Sequence, residues 1–154
     1  MPLTLTLRRW GYRSAYRLLQ VFWFVRRPSK HGVKCLVTDD DQVLLVRHTY
    51  GLRAWDLPGG GIKRGEAPLS AAQREMGEEL GVRDAAWTDL GPVRGRVDRR
   101  HDTIHCFSAE LAAPHLTIDP GEIAAAQWFP RTALPPDLGP YVRPVIVRAD
   151  ARLS

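Results

Sequence analysis

The chain has 154 residues, 44% of them hydrophobic and 25% charged. That suits one packed domain and excludes a disordered or fibrous protein, and no uninterrupted apolar run approaches the ~18 residues of a membrane-spanning helix. The formal charge of +5 is local, because residues 1–34 hold eight of the 22 basic residues and none of the 17 acids; the remainder is mildly acidic, and no DNA-binding module is evident.

Residues 5–27 read as a basic amphipathic helix. Arg9, Arg13, Arg17 and Gln20 recur at three- and four-residue spacing, Leu7, Leu18, Val21, Phe22 and Val25 share the opposite side, and Pro28 stops the pattern. This segment, residues 1–30, is expected to be an appendage to a single domain over residues 31–154. Such a helix can pack on its own domain or on a sister copy, as in a homodimer. Aromatic residues on its apolar side also suit docking at a membrane surface. No small-residue cleavage site follows it, as a signal peptide would require.

Two β-rich runs, 32–38 and 42–47, flank Asp39, Asp40 and Asp41 and read as a hairpin. Residues 55–61 end in Pro58 and three glycines, which form a loop that lets backbone approach a ligand closely. A helix follows from residue 67 or 68 to Leu80, with Pro68 in its first turn, an apolar row at Ala72, Met76 and Leu80, and Gly81 just past its end. Further strands are expected over 85–90, 102–111 and 125–129. A turn-rich stretch with a short helical turn is expected over 130–140, and a final helix over 141–152. Mixed strands and helices in one short chain predict an α/β sandwich with helices on both sides of a mixed sheet. Cys35 and Cys106 sit in apolar runs and read as reduced core thiols, which fits a cytoplasmic setting.

The chemistry is concentrated between Gly60 and Val82. On a helix, Glu75 and Glu79 are neighbours at i, i+4 with Glu78 beside them, so three carboxylates converge near the helix end. Like charges there repel, and acids in the last turn oppose the negative end of the helix dipole by roughly 0.3 to 1 kcal/mol each. Arg74 can pair with Glu78, but one exposed pair offsets only part of this. A cluster that breaks local rules without compensation is expected at a functional site, and a divalent cation is the natural compensator. Oxygen ligands alone suit Mg²⁺, with Mn²⁺ as substitute, better than zinc.

The segment resembles the Nudix box: Gly60, five residues, Glu66, seven residues, then Arg74, Glu75, Met76, Gly77, Glu78, Glu79, Leu80, Gly81 and Val82. Every fixed position matches. Average residue usage puts a chance match on the order of 10⁻⁸ to 10⁻⁷, so a merely solvated acidic face does not account for it. The resemblance implies a Nudix-type α/β/α sandwich and attack by a metal-activated water on a diphosphate. A nucleoside diphosphate linked to another group would be cut, releasing a nucleoside monophosphate. It implies Glu75, Glu78 and Glu79 as metal carboxylates and Gly59 as a carbonyl ligand. Glu66 would bind a further ion or hold the loop, and Arg74 would orient a glutamate. The general base is open among Glu75, Glu78 and Glu122.

Outside the box, Arg47, His48 and Arg53 flank the expected cleft and are candidates for holding phosphate, against a plainly solvated role. Arg94, Arg96, Arg99, Arg100 and His101 read as an exposed hairpin before a substrate rim. Trp55 and Trp128 read as core, and His101 and His105 as structural. The alternative function is a nucleotide-binding or regulatory domain of this fold that does not catalyse. Isopentenyl diphosphate isomerisation lacks a suitably placed cysteine.

Overall fold

Apolar side chains at Val33, Cys35 and Val37 alternate with Leu36, so β1 (Ser29–Asp39) is buried on both faces and takes the centre of the sheet. The computed structural model describes residues 29–51, 53–97, 100–112 and 114–154, with Ala15 and Leu18. The amphipathic helix expected over residues 5–27 lies outside the described residues, apart from Ala15 and Leu18, which are helical and exposed. Among the described residues no helix is long and apolar enough to cross a membrane.

The remaining strands are β2 (Gln42–His48), β3 (Gly59–Gly61), β4 (Thr88–Val97), β5 (Arg100–Glu110) and β6 (Ile123–Pro130). Their order is β4-β5-β1-β2-β6, with β3 paired to β1. The β1–β5 pair is parallel and the others antiparallel, so the sheet is mixed as expected. The 32–38 and 42–47 hairpin is present but short. β1 pairs β2 at Thr38–Val43 and Asp39–Gln42, around a turn whose Asp40 has φ 50°. Farther back, β1 pairs β3 instead, from Gly32–Gly61 to Lys34–Gly59.

Two helices cover the two faces. On one, Ala71, Ala72, Met76 and Leu80 of α1 (Pro68–Leu80) pack against Val33, Cys35, Leu44, Val46 and Phe107. On the other, Val142, Val145 and Ala149 of α2 (Val142–Leu153) meet Leu36, Val43, Leu45, Ile104 and Cys106. Along β1, β2 and β5 the faces divide by odd and even positions, so a one-residue slip there would exchange the two cores and is strongly disfavoured. Truncating a fully buried side chain such as Met76 to Ala would cost about 2–5 kcal/mol. Cys35 and Cys106 are buried and free; burial pushes both thiols up, Cys106 to about 11, which keeps them unreactive.

Four carbonyls near the end of α1 are satisfied. The N–H groups of Gly81 and Val82 bond the Gly77 and Met76 carbonyls, and Thr117 and Asp119 bond those of Leu80 and Glu79. The loop before β6 is thereby tied to the helix end.

Three elements differ from expectation. The end of the loop expected over 55–61 is instead strand β3, because Gly59–Gly61 pairs antiparallel with β1. The strand expected over 85–90 is Thr88–Val97, because Gly91 and Pro92 read as a break but lie in an edge strand, where proline is tolerated, beside a register shift between Asp89 and Gly91. Arg94 and Arg96 are exposed on this β4–β5 hairpin, as is His101. The stretch 130–140 contains turns and a bridge between Trp55 and Leu138, without a helical turn.

Candidate metal and catalytic site

One turn of α1 separates Glu75 from Glu79, and both are buried, at 8% and 1% exposure. Glu122 arrives from the loop before β6. One carboxylate oxygen from each of the three lies within 4.8 Å of the others. Glu122 is held from two sides: its N–H bonds the Asp119 carbonyl at 3.1 Å, and its own carbonyl accepts the Thr49 N–H at 2.9 Å, just past the end of β2. Asp119 is itself pinned to the end of α1, so helix and strand together set the cluster.

The field at this point is strongly anionic. Burial, and then the Glu79 charge, lift the Glu75 carboxyl to about 7 against the pull of Arg74. Burial and the charges of Glu79, Glu122 and Glu75 push the Tyr50 hydroxyl up as well. α1 has no acid in its first turn and no base in its last, the reverse of what its dipole favours. Three buried or half-buried carboxylates so close, with oxygen donors only, fit a hard divalent cation of the Mg²⁺ or Mn²⁺ type.

Arg74 organises the approach to the cluster. It forms a two-pronged pair with Glu66 at 2.9 Å on both sides, bonds the Gly61 carbonyl at 2.9 Å, and reaches Glu75 at 2.8 Å and Glu78 at 3.4 Å. The pair with Arg74 pulls the Glu66 carboxyl down to about 2. Glu66 therefore holds the loop, also accepting the Lys63 N–H, and stands apart from the three-carboxylate cluster. Glu78 is outside it too, with its side chain 52% exposed.

Two glycines let β3 pass beneath the helix. Gly59 has φ 145°, and a Cβ there would lie 2.1 Å from the Val33 carbonyl oxygen; its N–H donates to Glu79 Oε2 at 3.2 Å. A Cβ at Gly60 would lie 2.6 Å from the Glu75 carboxylate. No side chain larger than hydrogen fits either place unmoved.

The residues flanking the box divide. His48, on the α1 face of β2, approaches Glu79 Oε1 at 3.0 Å. Arg47 belongs to the opposite face. It pairs with Asp137 at 2.5 Å and lies over the Trp55 ring at 4.5 Å, so it is not brought to the carboxylates. Arg53 is exposed on its loop. Trp55 is core, edge-on to Phe129 at 4.9 Å, and Trp128 is partly buried against the α1-side core. A cleft of about 520 Å³ is lined by His31, Lys63, Arg64, Glu66 and His105 among others, and by none of Glu75, Glu79 and Glu122.

Sequence reasoning missed Tyr50 and the anchoring role of Asp119. Nothing local marks Tyr50. The period-two continuation from Leu44 and Val46 to His48, in contrast, does put His48 on the helix-covered face.

A family model described as NUDIX domain matches residues 28–149. An RNA pyrophosphohydrolase of Rhodospirillum rubrum is 32% identical over 145 residues, 82% of this chain and 88% of that protein. A human diphosphoinositol polyphosphate phosphohydrolase is 41% identical over 81 residues, 51% of this chain and 45% of that protein. Among solved structures, the MutT NUDIX hydrolase from Burkholderia pseudomallei superposes with a TM-score of 0.71 at 25% identity, covering 78% of this chain and 97% of that one.

Proposed function

The chain belongs to the Nudix family, and from that premise we propose that it uses Mg²⁺, held by Glu75, Glu79 and Glu122, to hydrolyse a nucleoside diphosphate linked to another group. That it is a Nudix hydrolase acting on diphosphate bonds follows from relatives named as a pyrophosphohydrolase and a diphosphoinositol polyphosphate phosphohydrolase. The observation that carries the finer reading is the convergence of the three glutamate oxygens within 4.8 Å, two of the glutamates being buried. When bound, a divalent cation would neutralise charge on the diphosphate oxygens and ease deprotonation of water.

The chain's own residues account for the rest. Water adds to one phosphorus, the bridging P–O bond breaks, nucleoside monophosphate leaves, and the proton passes to a glutamate. Glu75, Glu78 and Glu122 are the candidate bases. Arg74 and Glu66 keep the Gly61 loop against the helix, and the Gly59 N–H steadies Glu79. Glu78, with its side chain 52% exposed and held among the described residues by a 3.4 Å contact with Arg74, is free to swing toward a cation as a further ligand. Residues 31–154 form the catalytic domain, and two free buried thiols favour a cytoplasmic setting.

The test is a substrate panel with Mg²⁺ or Mn²⁺: dNTPs, ADP-ribose, nucleotide sugars, dinucleoside polyphosphates and capped RNA. RNA and diphosphoinositol polyphosphates join it because the relatives' names carry them. Turnover should vanish in EDTA, and ¹⁸O from water should enter a phosphate product. Metal-independent cleavage, or label confined to a non-phosphate fragment, would contradict the reading. Tight nucleotide binding without turnover across the panel would favour the non-catalytic alternative.

A further inference from the structure

We propose that His48 is a positioning residue, whose Nε2–H fixes the Glu79 carboxylate in the orientation a divalent cation requires. This rests on the reading of Glu75, Glu79 and Glu122 as cation ligands. Glu79 is fully buried, yet it has no arginine or lysine partner among the described residues. Arg74, the nearby guanidinium, is already engaged by Glu66, Glu75, Glu78 and the Gly61 carbonyl. His48 is the side chain that meets it, at 3.0 Å from Oε1, with 12% of the imidazole side chain exposed. An ionised carboxylate only accepts, so Nε2 carries the proton in this contact.

The other oxygen of Glu79 is met from a different element, by the Gly59 N–H at 3.2 Å. One donor on each oxygen fixes the plane of the carboxylate. It also leaves each oxygen a lone pair for a cation. Donors from the end of β2 and from β3 thus hold one glutamate of α1, which is how supporting hydrogen bonds orient a metal ligand.

His48 is itself held. The β2–β6 register shifts between Arg47 and His48, so that His48 pairs with Ile123, the residue next to Glu122. Bulges of this kind recur where a strand must re-aim a side chain beside a site. The Tyr50 ring lies 5.6 Å from the imidazole at a 44° tilt. His48 therefore couples the strand that anchors Glu122 to the carboxylate of Glu79.

The experiment compares His48→Met and His48→Gln in the full chain. Both replacements are about the length of histidine, and only Gln restores an N–H donor. Mn²⁺ affinity is measured without substrate by electron paramagnetic resonance of the free ion, alongside melting temperature. His48→Met should raise the Mn²⁺ Kd about 10- to 100-fold, the effect that losing such a supporting hydrogen bond carries. His48→Gln should return it close to wild type, and both should melt alike. Equal Mn²⁺ affinities in the two variants would overturn the role of the hydrogen bond. Failure of the wild-type chain to bind Mn²⁺ would instead overturn the metal site itself.

Discussion

Gly60 faces Glu75 so closely that a Cβ on Gly60 would lie 2.6 Å from both Cδ and Oε1 of the carboxylate. The atoms it would strike are the far end of a side chain and not backbone, so the helix need not move. We expect Gly60→Ala to rotate Glu75 out of the cluster, lowering kcat and weakening metal binding while the melting temperature shifts little. A variant as active as wild type would show that the position of Glu75 is not needed.

Glu79 is the most buried acid of the cluster and the one with both oxygens accounted for by donors. In Glu79→Gln the amide keeps the shape but loses the charge, and its NH₂ either opposes the Gly59 N–H or faces His48 Nε2, which must then give up its proton to become the acceptor. Turnover should fall by at least about 10²-fold, the scale of losing one preorganised electrostatic stabiliser. Circular dichroism should remain native. Steady-state kinetics near wild type at saturating Mg²⁺ would remove Glu79 from the site.

The Glu75 carboxyl sets the sign of a pH effect on stability. It is raised from 4.5 to about 7 by burial and then by Glu79. Between those values the native state keeps a proton that the unfolded chain has lost. The contribution is therefore complete below 4.5 and is lost as pH rises through about 7. The metal-free chain should lose melting temperature across that window more steeply than Glu75→Gln does. A Mg²⁺ ion held by the native cluster and not by the unfolded chain should restore most of the loss at the upper end. Parallel curves for wild type and variant would exclude Glu75 as the origin.

Glu122 belongs to the three-carboxylate cluster and Glu78 does not. Removing each with Gln should therefore weaken Mn²⁺ binding in that order, Glu122 more than Glu78, as titration calorimetry can read. The reverse order would mean that Glu78, once swung toward the cation, holds it more tightly than Glu122. The variant that retains metal but loses the acidic limb of the pH–rate profile identifies the base.

Much of this site could be read from sequence because it is local. Glu75 and Glu79 are fixed by helical spacing, and the glycines and Arg74 lie within the same short segment. The two-faced burial of β1 and β2 was also legible, because apolar runs bounded by turns imply it. What could not be read depends on pairing across the chain. Glu122 could be named but not placed, because its position follows from Asp119 bonding the end of α1 and from Thr49 bonding Glu122. Glu66 is expected to bind a further ion or hold the loop, and its two contacts with Arg74, which depend on how the loop packs on α1, are what support the second role. The extent of β4 was hidden by Gly91 and Pro92, since an edge position is a property of the sheet and not of the strand.

Arg47 shows how a neighbour in sequence can lie apart in the fold. It adjoins His48 in sequence, but side chains alternate along a strand, so the two belong to opposite faces. Its guanidinium lies 4.5 Å over Trp55 and pairs with Asp137, while its Nε is buried without a hydrogen-bond partner among the described residues. The ion pair is 39% and 48% exposed and so contributes little, whereas the stem and the planar head cover the tryptophan. We expect Arg47→Ala to destabilise the chain by about 1 kcal/mol, near the exposed-site value for such a contact, with KM unchanged. Arg47→Met should recover most of that stability, because it keeps a long apolar stem on the ring and removes the orphaned donor. Thermal melts and substrate titrations on the two variants decide the matter. A large rise in KM in both, at unchanged melting temperature, would return Arg47 to the substrate.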